Sequence, residues 1–260
     1  VTTIPLYQID AFTDRLFAGN PAAICPLESW LDESAMQAIA AENNLAETAF
    51  FVPEGDGYHL RWFTPVNEVD LCGHATLAAA FVLFQSLGVT GDTVSFSTRS
   101  GDLTVARNGD LLELDFPAIP GEAVTPPDPL IDGLHCRPTE TFLASNYMAV
   151  FDTEAEIAAL APDMAALATL HPAGVIATAP GDNADFVSRF LAPSHGIPED
   201  PVTGSAHCML IPYWSARLDK KTLVARQISA RGGDLVCQVR GDRVGIAGRA
   251  VLYMTGEISI

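Results

Sequence analysis

Three segments of this 260-residue chain return in the same order at nearly one offset, which confines the fold to two copies of one unit. Arg61-Trp62-Phe63-Thr64-Pro65 comes back as Arg189-Phe190-Leu191-Ala192-Pro193, and eleven residues after each arginine stand Cys72 and Asp200. Both pairs are 128 residues apart, close to half the chain length. Ser97–Leu103 and Ser229–Leu235, with Arg-x-Gly-Asp-Leu in common, repeat at an offset of 132. By this alignment Cys72 and Asp200 are expected at equivalent places in the two copies.

Each copy carries an apolar run that begins on small residues. From Gly73 about fifteen residues contain no charge and no proline, and they are apolar on every side, which predicts a helix surrounded by protein and stopped at Gly88. The second run opens at Gly204-Ser205 and contains Pro212, expected to kink or restart it. Around these helices the alternating segments predict curved, mainly antiparallel sheets, so the fold class is α+β. The halves are assigned to residues 1–117 and 130–260. Residues 118–129, part of a stretch with five prolines in fourteen residues, are read as the linker. Smaller signals include a capping box at Thr153-x-x-Glu156 and a helix opening at Asp32 with Met36, Ile39 and Ala40 inward.

The chain holds 32 acidic and 14 basic residues, a formal charge of −18, which argues against nucleic-acid and anionic-membrane partners. No apolar run has bilayer length, Val1–Asp10 lacks the order of a signal peptide, and five cysteines show no framework spacing. A soluble, cytoplasmic protein with free thiols is expected. Neither nucleotide-binding glycine motif occurs, and His207-Cys208 stands at no zinc-site spacing from Cys72 and His74, so no cofactor and no metal are expected.

A helix start offers free amides and a partial positive charge, so Cys72-Gly73-His74 and Gly204-Ser205 read as places for an anion such as a substrate carboxylate. At such a start Cys72 is expected to have a lowered pKa. Asp200, between two prolines, and Ser205 also read as turn and cap residues. Glu47, at the entrance to a strand read over Leu45–Val52, is a candidate general acid/base if burial beside Phe50 and Phe51 raises its pKa.

The segments Asp10–Ile24 (DAFTDRLFAGNPAAI), Asn44–Phe50 around Glu47, Asp70–Leu83 (DLCGHATLAAAFVL) and Glu199–His207 (EDPVTGSAH) together resemble the phenazine-biosynthesis, PhzF-like family of the diaminopimelate epimerase fold. The resemblance implies two pseudo-twofold-related halves, each a barrel-like sheet round a central helix with the site between them. It also implies a last strand near 250–258 that returns to the first half. It implies a cofactor-free isomerase in which Glu47 moves a proton, with His74, Asp200, Gly204 and Ser205 lining the site, Asn20 contacting substrate, and the protein forming a homodimer. Diaminopimelate epimerase, a more distant relative, uses one cysteine per half; here the first is Cys72 and the alignment puts Asp200 at the second. An amino-acid racemase or epimerase using Cys72 and Asp200 is therefore the alternative, and a non-catalytic binding protein on the same fold is another.

Overall fold

The computed structural model describes residues 2–260 as two compact units. One runs up to Asp115 and resumes at Ala247–Ile260; the other is Phe116–Ile246. In chain order the first holds β1 (Thr3–Ala11), β2 (Asn20–Pro26), α1 (Glu33–Asn43), β3 (Glu47–Glu54), β4 (Gly57–Phe63), β5 (Glu68–Val69), α2 (Gly73–Phe81), β6 (Thr93–Ser97), β7 (Leu103–Asn108) and β8 (Leu111–Pro117). Then follow β9 (Glu122–Ala123), α3 (Asp128–Leu134), β10 (Glu140–Leu143), β11 (Tyr147–Val150), α4 (Glu154–Ala159), α5 (Met164–Ala168), β12 (Val175–Pro180), β13 (Phe186–Ala192), β14 (Ile197–Asp200), α6 (Gly204–Leu218), β15 (Thr222–Gln227), β16 (Gly233–Arg240) and β17 (Arg243–Gly248). The last strand, β18 (Ala250–Ser259), pairs antiparallel with β1.

The two units repeat one pairing pattern. β1–β2 and β3–β4 are antiparallel while β2–β3 and β4–β6 are parallel. Correspondingly, β10–β11 and β12–β13 are antiparallel while β11–β12 and β13–β15 are parallel. An arginine–glutamate clasp recurs as well: Arg61 grips Glu68 through two hydrogen bonds of 2.7 Å, and Arg189 grips Glu199 at 2.7 and 2.9 Å. Seven residues separate the first pair and ten the second. The extra residues form a short 3₁₀ turn, Pro193–His195, closed by Gly196 at φ 78°. Past that insertion the offset grows by three, so the helix start corresponding to Cys72 is Thr203. Asp200 corresponds to Val69 instead, since Asp200 pairs with Phe190 as Val69 pairs with Trp62. The equivalence of Cys72 and Asp200 drawn from a constant offset is thereby corrected.

Strand β3 is buried at every position from Thr48 to Val52, because helices cover both faces. Phe50 and Val52 pack in one cluster with Met36 and Ile39 of α1. Side chains alternate along a strand, so Glu47, Ala49 and Phe51 turn to the other face. There α2 contacts β2 and β3. The helix is buried from His74 to Ala80 and continues into a π-helical turn, Val82–Ser86, in which the Leu87 amide donates to the Val82 carbonyl, before Gly88 at φ 68° ends it. Burying Leu77, Leu83 and Phe84 contributes about 1.5–3 kcal/mol each.

Pro212 does not break α6, which is assigned continuously from Gly204 to Leu218. The missing proline N–H leaves the Cys208 carbonyl without its helical donor, and the Ile119 amide supplies one at 2.9 Å. Residues 118–129 are accordingly more than a linker. They hold this bond, β9 paired with β10, and the N-cap Pro127 and first two residues of α3. The capping box at Thr153 and Glu156 is present. Asp32 is the N-cap of α1 but makes no side-chain cap bond.

Candidate active site

The start of β2, the start of β3 and the start of α2 bring four side chains together in the first unit. Asn20 opens β2 and Glu47 opens β3, and because these strands are parallel, with Ala22 opposite Glu47, both side chains leave the same end of the sheet on the same face. Gly19 holds Asn20 there. Its φ is 64°, and a Cβ at this position would lie 2.1 Å from the Ala11 carbonyl oxygen. Cys72 is the N-cap of α2, with an extended backbone. The Thr76 amide and hydroxyl both donate to the Cys72 carbonyl, at 3.2 and 2.5 Å.

His74 sits at the centre. Its Nε2 is 3.0 Å from Glu47 Oε2, with 5% and 12% of the two side chains exposed. Its Nδ1 is 3.1 Å from Asn20 Nδ2 and 3.5 Å from Cys72 Sγ. The Asn20 amide offers both a donor and an acceptor, so it can serve Nδ1 with or without a proton. Burial opposes a charged His74, yet Cys72 and Glu47 outweigh it and hold the imidazole well above its ordinary pKa. Burial first, and then the charge of Glu47, push the Cys72 thiol up to about 11. This corrects the expectation of a lowered value. The helix-start dipole is a partial charge, and here it is outweighed by desolvation and by a whole negative charge nearby.

Asp200, Gly204 and Ser205 belong to the second unit. Asp200 Oδ2 accepts from the Thr203 hydroxyl at 2.5 Å, and the Asp200 carbonyl accepts from Gln227 Nε2 at 2.7 Å. Gln227 Oε1 in turn takes the Thr203 amide at 2.9 Å. Thr203 and Gln227 are the residues missed in the sequence. Gln227 had a signal: it follows Leu223 and Ala225 on one face of β15, so alternation places it inside, where a polar side chain needs a partner. Gly204 and Ser205 stand at the start of α6, as Gly73 and His74 do in α2.

The second unit does not repeat the acid/base cluster. β12 turns Thr178 toward α6, as the 2.9 Å bond from Trp214 Nε1 to Thr178 Oγ1 shows, and since Ile176 lies opposite Phe190 as Ala49 lies opposite Trp62, Ala49 is answered by Ile176 and Glu47 by Gly174, which has no side chain. Cys72 is answered by Thr203 and His74 by Ser205. The ionisable cluster is thus particular to the first unit. His207, buried one turn into α6, points its Nε2 away from hydrogen-bond partners and lies beside Phe186.

The family model described as phenazine biosynthesis-like protein (PhzC-PhzF) matches residues 9–256. The chain belongs to this family. An uncharacterized isomerase of Pseudomonas aeruginosa is 52% identical over 257 residues, covering 99% of both chains. The crystal structure of a PhzF-family phenazine biosynthesis protein from Enterococcus faecalis superposes with a TM-score of 0.97 at 48% identity, over all of both chains. A hydroxyproline epimerase from Agrobacterium vitis, solved with trans-4-hydroxy-L-proline, covers 98% of this chain and 92% of its own at a TM-score of 0.65. At 12% identity that last likeness concerns the fold alone, which is the epimerase-like α+β fold. Among the described residues no helix is long and apolar enough to cross a membrane.

Proposed function

We propose that this PhzF-family chain is a cofactor-independent isomerase that moves a proton within a small, carboxylate-bearing substrate. The observation that carries the proposal is the buried contact of 3.0 Å between Glu47 Oε2 and His74 Nε2 beside the first amides of α2. Its relatives' names support the reaction class.

In the proposed reaction the substrate carboxylate lies on the amides of Gly73 and His74, where the helix start favours negative charge. Glu47 takes a proton from an acidic carbon and becomes a carboxylic acid; the electron pair left behind delocalises toward the substrate carboxylate as a dienolate. The Glu47 acid, its proton exchanging with solvent, then delivers a proton to another carbon, which regenerates the Glu47 carboxylate. His74 positions Glu47 throughout, and Asn20 holds the imidazole ring. Fixed donors at the helix start stabilise the developing charge without reorganisation. Asp200, Gly204 and Ser205 are proposed as further substrate contacts. Nucleic acid and membranes are not partners in this proposal, and the protein is placed in the cytoplasm as a homodimer.

Solvent-deuterium incorporation into cyclohexadienyl carboxylic acids and amino acids, read by mass spectrometry and NMR, tests it. Label should appear at a shifted ring carbon, and Glu47→Gln should slow the exchange by about 10²–10⁴-fold. Full turnover by Glu47→Gln overturns the assignment. A second reading, an amino-acid epimerase, is favoured by the Cys72 thiol 3.5 Å from His74. In that case label appears at Cα with loss of optical rotation, and Cys72→Ala abolishes the reaction instead of weakening it.

A further inference from the structure

We infer that Asp10 is a positioning residue for the candidate site: its carboxylate closes the strained loop 12–19 and so fixes Asn20 against His74. The catalytic consequence rests on the function proposed above; the structural part does not.

The backbone of this loop carries the inference. β1 ends at Ala11 and β2 begins at Asn20, directly opposite it in the ladder. Between them Phe12 has a φ of 61°, Phe17 of 66° and Gly19 of 64°. For glycine this conformation is ordinary, but a bulky aromatic residue adopts it only with its Cβ crowding the backbone. The other non-glycine residues at positive φ, among those described, are Asn44, His135 and Asp219. These are the C-caps of α1, α3 and α6, where a left-handed residue closes a helix. Phe12 and Phe17 close no helix, so other contacts must hold them.

Burial holds Phe12. Its side chain is inaccessible, and Gly248 makes the room, since a Cβ there would lie 2.4 Å from Phe12 Cδ1. Phe17 lacks that support, because its side chain is exposed. What is held is its amide, which donates at 2.9 Å to Oδ2 of Asp10, a residue 2% exposed. A carboxylate buried in this way requires donors, and it grips a backbone amide more firmly than a neutral acceptor does. Asp10 pairs with Pro21, so it reaches the loop from the face of the sheet turned away from Asn20. The effect arrives at the site three residues later. Released from Asp10, Phe17 relaxes to negative φ and turns Ala18 and Gly19 with it. Gly19 has no slack, as even a Cβ would sit 2.1 Å from the Ala11 carbonyl oxygen. Asn20 Nδ2 then leaves its place 3.1 Å from His74 Nδ1.

Asp10→Leu removes the acceptor at similar bulk, and Asp10→Asn keeps one. NMR of protein labelled with ¹⁵N-histidine reads the ring directly, the His74 resonances being assigned by their loss in His74→Gln and folding checked by circular dichroism. In Asp10→Leu the His74 Nδ1 resonance should move to where Asn20→Ala puts it, and combining the two substitutions should move it no further. Asp10→Asn should lie part-way, and it carries the reading if Asp10→Leu does not fold. Deuterium exchange into substrate should fall at least about tenfold in kcat in Asp10→Leu, with KM changed less than about twofold. Phe17→Gly adopts the left-handed conformation without strain, so added to Asp10→Leu it should restore part of that loss and return the Nδ1 resonance toward wild type. A wild-type Nδ1 resonance in the folded Asp10 variant overturns the positioning role, as do shifts that add in full to those of Asn20→Ala. If no protein of the series exchanges label, the proposed function fails while the resonance still decides the role of Asp10.

Discussion

At the scale of single residues, burial sets the protonation of His207. Its Nδ1–H donates to the Thr203 carbonyl at 2.8 Å, while the buried Nε2 has no hydrogen-bond partner and the ring lies 6.0 Å from that of Phe186. Burial pulls its pKa down to about 4, against which the Thr203 bond pushes only weakly. The folded chain therefore carries a neutral His207, while the unfolded chain binds a proton near pH 6.5. Below that value the unfolded state holds more protons, so stability present above about pH 6.5 is lost as the pH falls toward 4. The whole difference is about 3 kcal/mol for one fully buried group. Urea unfolding of wild type and His207→Gln at pH 7 and pH 4.5 should show the wild type losing stability more steeply. Equal losses in the two proteins would mean that His207 is not the group responsible.

At the scale of elements, Gly19 connects a turn to the candidate site. A methyl group there meets the Ala11 carbonyl oxygen at 2.1 Å and Thr13 Cγ2 at 2.8 Å, so the turn before β2 must open and carry Asn20 away from His74. Gly55 has a similar φ of 58° with nothing within 4 Å of an added Cβ. Gly55→Ala should cost only left-handed strain, about 1 kcal/mol, with proton exchange unchanged. Gly19→Ala should cost about 2–3 kcal/mol and slow exchange at least about tenfold. Chemical denaturation and deuterium exchange of the two variants provide the comparison. Much of this site was legible along the chain. Glu47 stands before an unbroken apolar strand, and Cys72-Gly73-His74 opens a run too apolar to lie on a surface. What was hidden depends on three-dimensional register. A three-residue 3₁₀ turn shifts the alignment of the second unit, so Asp200 seemed to answer Cys72 when Thr203 does. Similarly, the prolines after Phe116 suggested a free linker, whereas the Ile119 amide is bound to the carbonyl that Pro212 leaves open.

At the scale of the whole molecule, the exposed apolar surface of β18 supports the proposed homodimer. β18 pairs with β1 along one edge, yet Leu252, Tyr253 and Met254 are 39%, 46% and 41% exposed on consecutive residues, so both faces of the strand meet solvent. Phe17, 69% exposed, stands edge-on to the Tyr253 ring at 5.7 Å and extends the patch. An apolar strand left in this state invites pairing with another chain, and a second copy offers the same strand by twofold symmetry. Two chains of formal charge −18 repel each other, however. The association is therefore held by apolar burial against an electrostatic cost, and added salt should strengthen it by screening that repulsion. A dimer held by ion pairs would weaken instead. Sedimentation at low and high ionic strength should show the dimer fraction rising with salt. Leu252→Lys with Met254→Lys should yield monomers at both, because burying two unpaired ammonium groups costs more than the relief of two charges returns. A dimer that survives this double substitution, or dissociates as salt is added, would locate the contact elsewhere on the chain.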